Sequence, residues 1–298
     1  MTRRSPTPMK NTLATALLAC TLLSPIAPGA AAGNPHTTDA PHTPGNPANS
    51  GNSGITQDII QAGELRLQSQ RLAKLWLQAG LGIHAGAASR HLADGVGRVE
   101  RSLAALGHHA QREGSRRPLQ RIGELWGEYR ALLQLPYGAD NLAAVNRLAD
   151  ELMLASGRLS VRIEADAEGA GGRLLDLSLR QNMLVHRLAR LTLLAQAGDR
   201  SRGRLVDIEQ ARREFAGALD ALAAAPENTP ASRDALELAR GQWLFFDRAI
   251  NEIGKQDSRP EHVATTSERI REVLDAVSRQ YADAPSRLAT AGMPPRRH

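Results

Sequence analysis

The sequence predicts an all-α chain folded as two tandem antiparallel four-helix bundles. The first sign is spacing: from Ile55 to Ala282 apolar residues recur every three or four positions, in a background rich in Ala, Leu, Arg, Glu and Gln. The second is that no stretch shows sustained strand alternation bounded by turns. The third is internal repetition. Arg71-Leu-Ala-Lys-Leu and Arg187-Leu-Ala-Arg-Leu stand 116 residues apart, each followed by an apolar stretch and then Gln-Ala-Gly, at Gln78 and Gln196. Trp126 and Trp243 come next, each with an aromatic three residues later (Tyr129, Phe246), and Asn141–Ser160 parallels His262–Tyr281. Three matches in order at a nearly constant offset indicate duplication.

Residues 1–32 read as a signal peptide. Arg3, Arg4 and Lys10 frame the start, an apolar run follows from Leu13 to Leu23, and Ala30-Ala31-Ala32 supplies a small-residue exit. The run is too short to span a bilayer as a stable helix. Leu17-Leu18-Ala19-Cys20 offers a second reading, a lipobox whose Cys20 is acylated to anchor a lipoprotein; it is the one cysteine of the chain. Cleavage after Ala32 is preferred, and both readings give a periplasmic protein. Residues 33–54 are Gly, Pro, Asn, Ser and Thr with few apolar side chains, too little to offset the entropy of ordering. They are expected to be a disordered linker, and residues 285–298 a disordered tail.

The first repeat, 55–168, parses into helices near 55–80, 86–112, 117–135 and 140–167. The second, 169–284, parses into helices near 172–197, 203–224, 231–254 and 261–282. The breaks fall at Gly80 and Gly82, Gly114, Pro136-Tyr-Gly138, Gly198, Pro226 to Pro230 and Pro260. Four helices with short connections suggest an up-down bundle, and Gly169-Ala-Gly-Gly172 marks the junction between repeats.

The formal charge is +6, and removing residues 1–32, with three basic and no acidic residues, leaves about +3. Aromatics make up 3% of the chain, too few for base-stacking platforms, and export also argues against nucleic acid as a partner.

The first helix carries the most information. Leu65, Ser69, Leu72, Trp76 and Ala79 form one stripe with the spacing of a bundle seam. A second stripe is Ile59, Gly63, Arg66, Gln70, Ala73 and Leu77, small and apolar except for Arg66 and Gln70. An arginine in a tight apolar interface is costly unless an anion or a carboxylate meets it. Gly63 lies one turn before Arg66, and a mid-helix glycine costs about 1 kcal/mol, which a close approach of helix or ligand would explain. On these grounds alone Arg66 either pairs with a neighbouring Glu or Asp, or snorkels along the surface, or binds an anion.

The segment Ala62-Gly63-Glu64-Leu65-Arg66-Leu67-Gln68-Ser69-Gln70-Arg71-Leu72 resembles the P-box of nitrate/nitrite sensor kinases, Ala-Gly-x-Leu-Arg-Met-Gln-Ser-Tyr-Arg-Leu. The wider family is the PilJ-type, or NarX-like, N-terminal sensor domain, also found on type IV pilus chemotaxis transducers. Arg180-Gln-Asn-Met-Leu-Val-His-Arg-Leu-Ala-Arg190 is similar to its looser pattern. The resemblance covers about eleven positions of the first repeat closely, and the rest only in helical organisation and the tryptophan position. It implies a four-helix periplasmic module in which an arginine from each side of a two-fold axis holds a planar anion. Carried over by position, Arg66 is the anion ligand, Gly63 the close-approach residue and Arg71 a supporting charge. A guanidinium suits the task because its planar fork matches an oxyanion. In the second repeat Leu179, Asn182 and His186 stand at the positions of Gly63, Arg66 and Gln70, with Arg180 or His186 as the candidate compensation. Pairing of two chains through the first helix would instead bring two copies of Arg66 together.

Other features are read as background. His108-His109 and the pair His84/His91 are taken as solvated surface, with no metal site. Glu124, Glu128 and Asp247 form no spaced acid/base pair. No nucleophile elbow, phosphate loop or zinc motif is present in the sequence. Trp243-Leu-Phe-Phe246 is taken as bundle core. The expected function is therefore non-enzymatic binding of a small oxyanion, nitrate or nitrite first, without a cofactor, as a homodimer through the first helix or beside a membrane sensor partner. The alternative is a structural or interaction protein of the cell envelope that kept the fold but not the ligand site.

Overall fold

The computed structural model describes residues 47–166, 170–253, 255 and 259–291. The expected signal peptide, Cys20, linker residues 33–46 and the end of the tail lie outside the described residues. Eight α-helices follow one another: α1 (Pro47–Gly80), α2 (Ala85–Ala105), α3 (Glu113–Leu133), α4 (Ala139–Ala165), α5 (Ala170–Gln196), α6 (Arg202–Ala223), α7 (Pro230–Asn251) and α8 (Pro260–Ala291). A 3-10 segment, Leu106–Gln111, joins α2 to α3. Among the described residues there is no strand, and no helix is long and apolar enough to cross a membrane.

Local chemistry sets most boundaries. α1 ends where Gly82 takes φ +76° and the Ile83 amide donates back to the Gln78 carbonyl at 2.9 Å. The same closure recurs 116 residues later, where Gly198 has φ +120° and the Asp199 amide donates to the Leu194 carbonyl at 3.0 Å. Ser201 caps α6 by accepting from the Arg204 amide, and Thr229 caps α7 by accepting from the Ser232 amide, with Pro230 in the first turn. Three departures from the sequence reading stand out. Residues 47–54 of the expected linker belong to α1, and α8 runs past 284 to Ala291; a helix once nucleated propagates cheaply into a weak flank. The helix expected over 86–112 instead tightens to 3-10 geometry at Leu106.

α1 and α5 are the central pair. α1 packs on α2 and α4 and also on α5; α5 packs on α6 and α8; α3 covers α4 and α7 covers α8. All of this belongs to one compact unit spanning residues 45–298. Gly63 faces Leu179, and Gln70 faces Arg190, so both helices advance in the same direction along their contact. The first stripe points into the core among α2, α3 and α4: Leu65, Leu72 and Trp76 join Ile122, Tyr129, Leu148 and Leu152 there. The polar tips of the core aromatics are satisfied, Tyr129 donating to the Ser69 carbonyl and Trp76 to that of Leu135. In α7, Phe246 is fully buried and Trp243 stacks on Phe215 at 4.5 Å, but Leu244 and Phe245 face outward, so only half of that aromatic run is core.

Candidate functional site

The second stripe of α1 lies against α5. Gly63 is buried, and a Cβ placed on it would meet Leu179 Cδ1 at 2.7 Å. The close approach expected of this glycine is thus to another helix, and to the residue 116 positions ahead of it. Arg66 is 5% exposed and meets a carboxylate: its Nη2 donates to Asp176 Oδ1 at 2.8 Å and to the Asp176 carbonyl at 3.2 Å. Its Nε has no partner. The arginine that the motif offers as an anion ligand therefore holds a carboxylate of α5.

Gln70 is fully buried and donates to the Ala149 carbonyl, while its Oε1 accepts from Arg190 Nε at 3.1 Å. Arg190 also reaches Asn146 at 2.5 Å and Asp150 at 2.6 Å, so a fully buried guanidinium of α5 is held entirely by α1 and α4. The converse pair runs the other way. Lys74, 116 positions before Arg190, is fully buried on α1 and donates to Glu268 Oε1 at 2.9 Å and Ser267 Oγ at 2.8 Å on α8. Arg71 adds a fork onto the same carboxylate, at 3.1 Å from Nη2 and 3.2 Å from Nε. Arg71 is a structural cation here, with Glu268 as its partner. Each central helix thus sends its cation across the seam to the last helix of the other set.

These contacts shift the ionisation of their members. Burial depresses the Lys74 ammonium to about 8 despite the opposing pull of Glu268. Burial alone would raise the Glu268 carboxyl, but Lys74, His186 and Arg71 together hold it far below the ordinary carboxylate range. His186, fully buried with neither ring nitrogen partnered, is kept well below its usual value by desolvation and then by Lys74.

The candidate ligand residues of α5 have contacts of their own within the chain. Asn182 is buried and donates to Asp275 at 2.8 Å, with its Oδ1 unpartnered. Arg180 is exposed and pairs with Glu214 of α6 at 3.3 Å. His186 faces the Lys74–Glu268 pair. The face that pairing of two chains through α1 would use is covered by α5 of the same chain.

Beside Arg66 opens a groove of about 1110 Å³ between α3, α4, α5 and α6. Its walls carry seven arginines against three carboxylates. Arg66 and Arg180 are paired, but among the described residues Arg116, Arg117, Arg158, Arg162 and Arg187 form no ion pair. Apolar Met153, Leu154, Val161, Met183 and Leu184 lie between them. Sequence reasoning missed this groove, since its arginines come from four helices that only the fold brings together. The signal was present as the excess of arginine, which reads as a solvated face when each helix is viewed alone.

The remaining sequence assignments changed in one place. His84 is exposed at the start of α2 and His91 is exposed, as expected, but His109 is fully buried and shares Asp58 with His108. Both rings reach Asp58 on α1 from the 3-10 segment, each through Nε2 at 3.0 Å.

No curated protein and no solved structure matches this chain. A family model does match part of it, over residues 48–150, from the start of α1 to the middle of α4. That span, which includes Arg66, is similar to PilJ, the N-terminal domain of type IV pili methyl-accepting chemotaxis transducers.

Proposed function

We propose that this chain is a periplasmic, non-enzymatic sensor-type module that binds a small oxyanion, nitrate or nitrite first, and reports its occupancy to a membrane partner. In this reading residues 55–168 and 169–284 are two NarX-like bundles in tandem, and α1 and α5 take the places of two first helices meeting across a two-fold axis. The likeness of residues 48–150 to a chemotaxis transducer domain supports the sensor class. The observation that carries the ligand class is Arg66, which is buried, has its Nε free, and stands at the edge of a groove with five unpaired guanidinium groups. An oxyanion entering the groove would meet those cations first and then compete with the Asp176 carboxylate for Arg66.

The second reading, an interaction protein of the cell envelope that kept the fold without the ligand site, rests on the Arg66–Asp176 pair, which already gives the motif arginine a counter-ion. Calorimetric titration with nitrate and nitrite, with chloride and sulfate as controls, separates the two. Saturable heat that vanishes in Arg66→Ala supports the sensor. No heat at millimolar ligand leaves the interaction protein.

A further inference from the structure

Asp58 near the start of α1 and the adjacent His108 and His109 of the 3-10 segment converge on one point. Asp58 Oδ2 lies 3.0 Å from His108 Nε2 and 3.0 Å from His109 Nε2, and one ligand atom from each of the three residues falls within 4.8 Å of the others. The two rings are 4.3 Å apart.

The hydrogen-bond pattern there is incomplete. His108 Nδ1 sits 3.0 Å from the Ala105 carbonyl, which can only accept, so Nδ1 carries the proton. In a neutral ring Nε2 then presents a lone pair to the Asp58 oxygen. Two lone pairs at that distance repel unless a proton or a cation lies between them. His109 is fully buried, its Nε2 faces the same oxygen, and its Nδ1 has no partner.

We propose that Asp58, His108 and His109 bind a divalent transition-metal cation of the zinc type through one carboxylate oxygen and two Nε2 atoms. Two imidazoles and a carboxylate suit zinc, nickel or copper, whereas magnesium and calcium seek oxygen ligands alone. Zinc bonds of about 2.0–2.1 Å in a tetrahedron place neighbouring ligand atoms about 3.3 Å apart, close to the two oxygen–nitrogen separations of 3.0 Å here. The Ala105 carbonyl acts as the outer partner that fixes the His108 tautomer. An entry path exists, because the His108 side chain is 49% exposed while His109 closes the site from behind at 0%. Three protein ligands leave a fourth position for water or a partner's side chain. The cation would clamp the start of α1 onto the α2–α3 connection. The site lies eight residues before Arg66 on α1, about 12 Å along the axis, so it is separate from the groove.

The test is titration of the full chain with zinc chloride in a non-chelating buffer, beside His108→Ala and a His84→Ala/His91→Ala control. His108 is exposed enough that its loss leaves the fold intact. One zinc per chain is expected, weakened at least about tenfold in His108→Ala and unchanged in the control. Cobalt in place of zinc should give the visible bands of a tetrahedral site in the wild-type chain and lose them in His108→Ala. Absence of saturable binding, or equal binding in His108→Ala, would overturn the proposal and leave the three side chains as a hydrogen-bonded cluster.

Discussion

Leu179 of α5 occupies the space that a side chain on Gly63 of α1 would need: a Cβ there would lie 2.7 Å from Leu179 Cδ1 and 3.0 Å from Leu179 Cβ. The flexible Cδ1 could turn away, but the Leu179 Cβ is fixed to the backbone. Gly63→Ala gains about 1 kcal/mol of helix propensity and loses about 1–3 kcal/mol to overpacking. A net destabilisation of about 1 kcal/mol is therefore expected in urea denaturation. In a Leu179→Ala background the same change should turn neutral or stabilising. Additive effects of the two substitutions would refute the contact.

Asp176→Asn removes the carboxylate from Arg66 and keeps the shape. Stability should fall by about 3 kcal/mol, because a nearly buried guanidinium loses its counter-ion. If the groove takes an oxyanion, the same variant should bind it about tenfold more tightly or better, since the competitor for Arg66 is gone. Calorimetry reads the affinity and thermal melting the stability.

Arg190→Lys is expected to cost about 2–3 kcal/mol, although it conserves charge. An ammonium cannot reproduce three directed bonds to Gln70, Asn146 and Asp150 at once. Lys74→Arg, the reverse exchange at the facing position, should also be poorly tolerated, because a larger head must fit between Ser267 and Glu268.

His186 gives the chain an acid-side pH dependence. Its folded value is depressed below the ordinary value near 6.5, so below that pH the unfolded chain binds a proton that the native state refuses. Stability therefore falls as pH drops below about 6.5, where the unfolded imidazole takes up a proton and the buried one does not. The groups around it, Lys74, Arg71 and Arg271 against the single carboxylate Glu268, oppose a further positive charge. His186→Gln should flatten this limb in denaturant titrations.

Lys74 supplies the alkaline counterpart. Its folded value of about 8 lies below the unfolded 10.5, so between these values the unfolded chain carries the extra proton and stability rises with pH. Relative to Lys74→Met, the wild type should gain roughly 1–2 kcal/mol from pH 7.5 to 9.5, a range chosen to stay below tyrosine ionisation.

The helices were legible because glycine and proline mark their ends: Gly82, Gly198 and Pro230 act where they were read. The seam stripe Gly63, Arg66, Gln70 was legible as an interface. Its counter-surface was not, since periodicity says which face is buried and not what covers it. Asp176 lies outside the motif and six positions before Asn182, and only the parallel setting of α1 and α5 brings it to Arg66. The Asp58–His108–His109 cluster was not legible either. Asp58 is on α1 and the two histidines are about fifty residues later, so periodicity within one helix could not bring them together.

The seam between α1 and α5 is closed within a single chain. A receptor that brings two identical subunits together must present the same residue on both sides of its axis, and its assembled fraction changes with dilution. Neither condition binds here. Arg66 faces a helix that carries Asn182 and Asp176, and Gly63 faces Leu179, so the two sides need not carry the same residue. Whatever disturbs this seam does so at a strength independent of how much of the protein the cell makes.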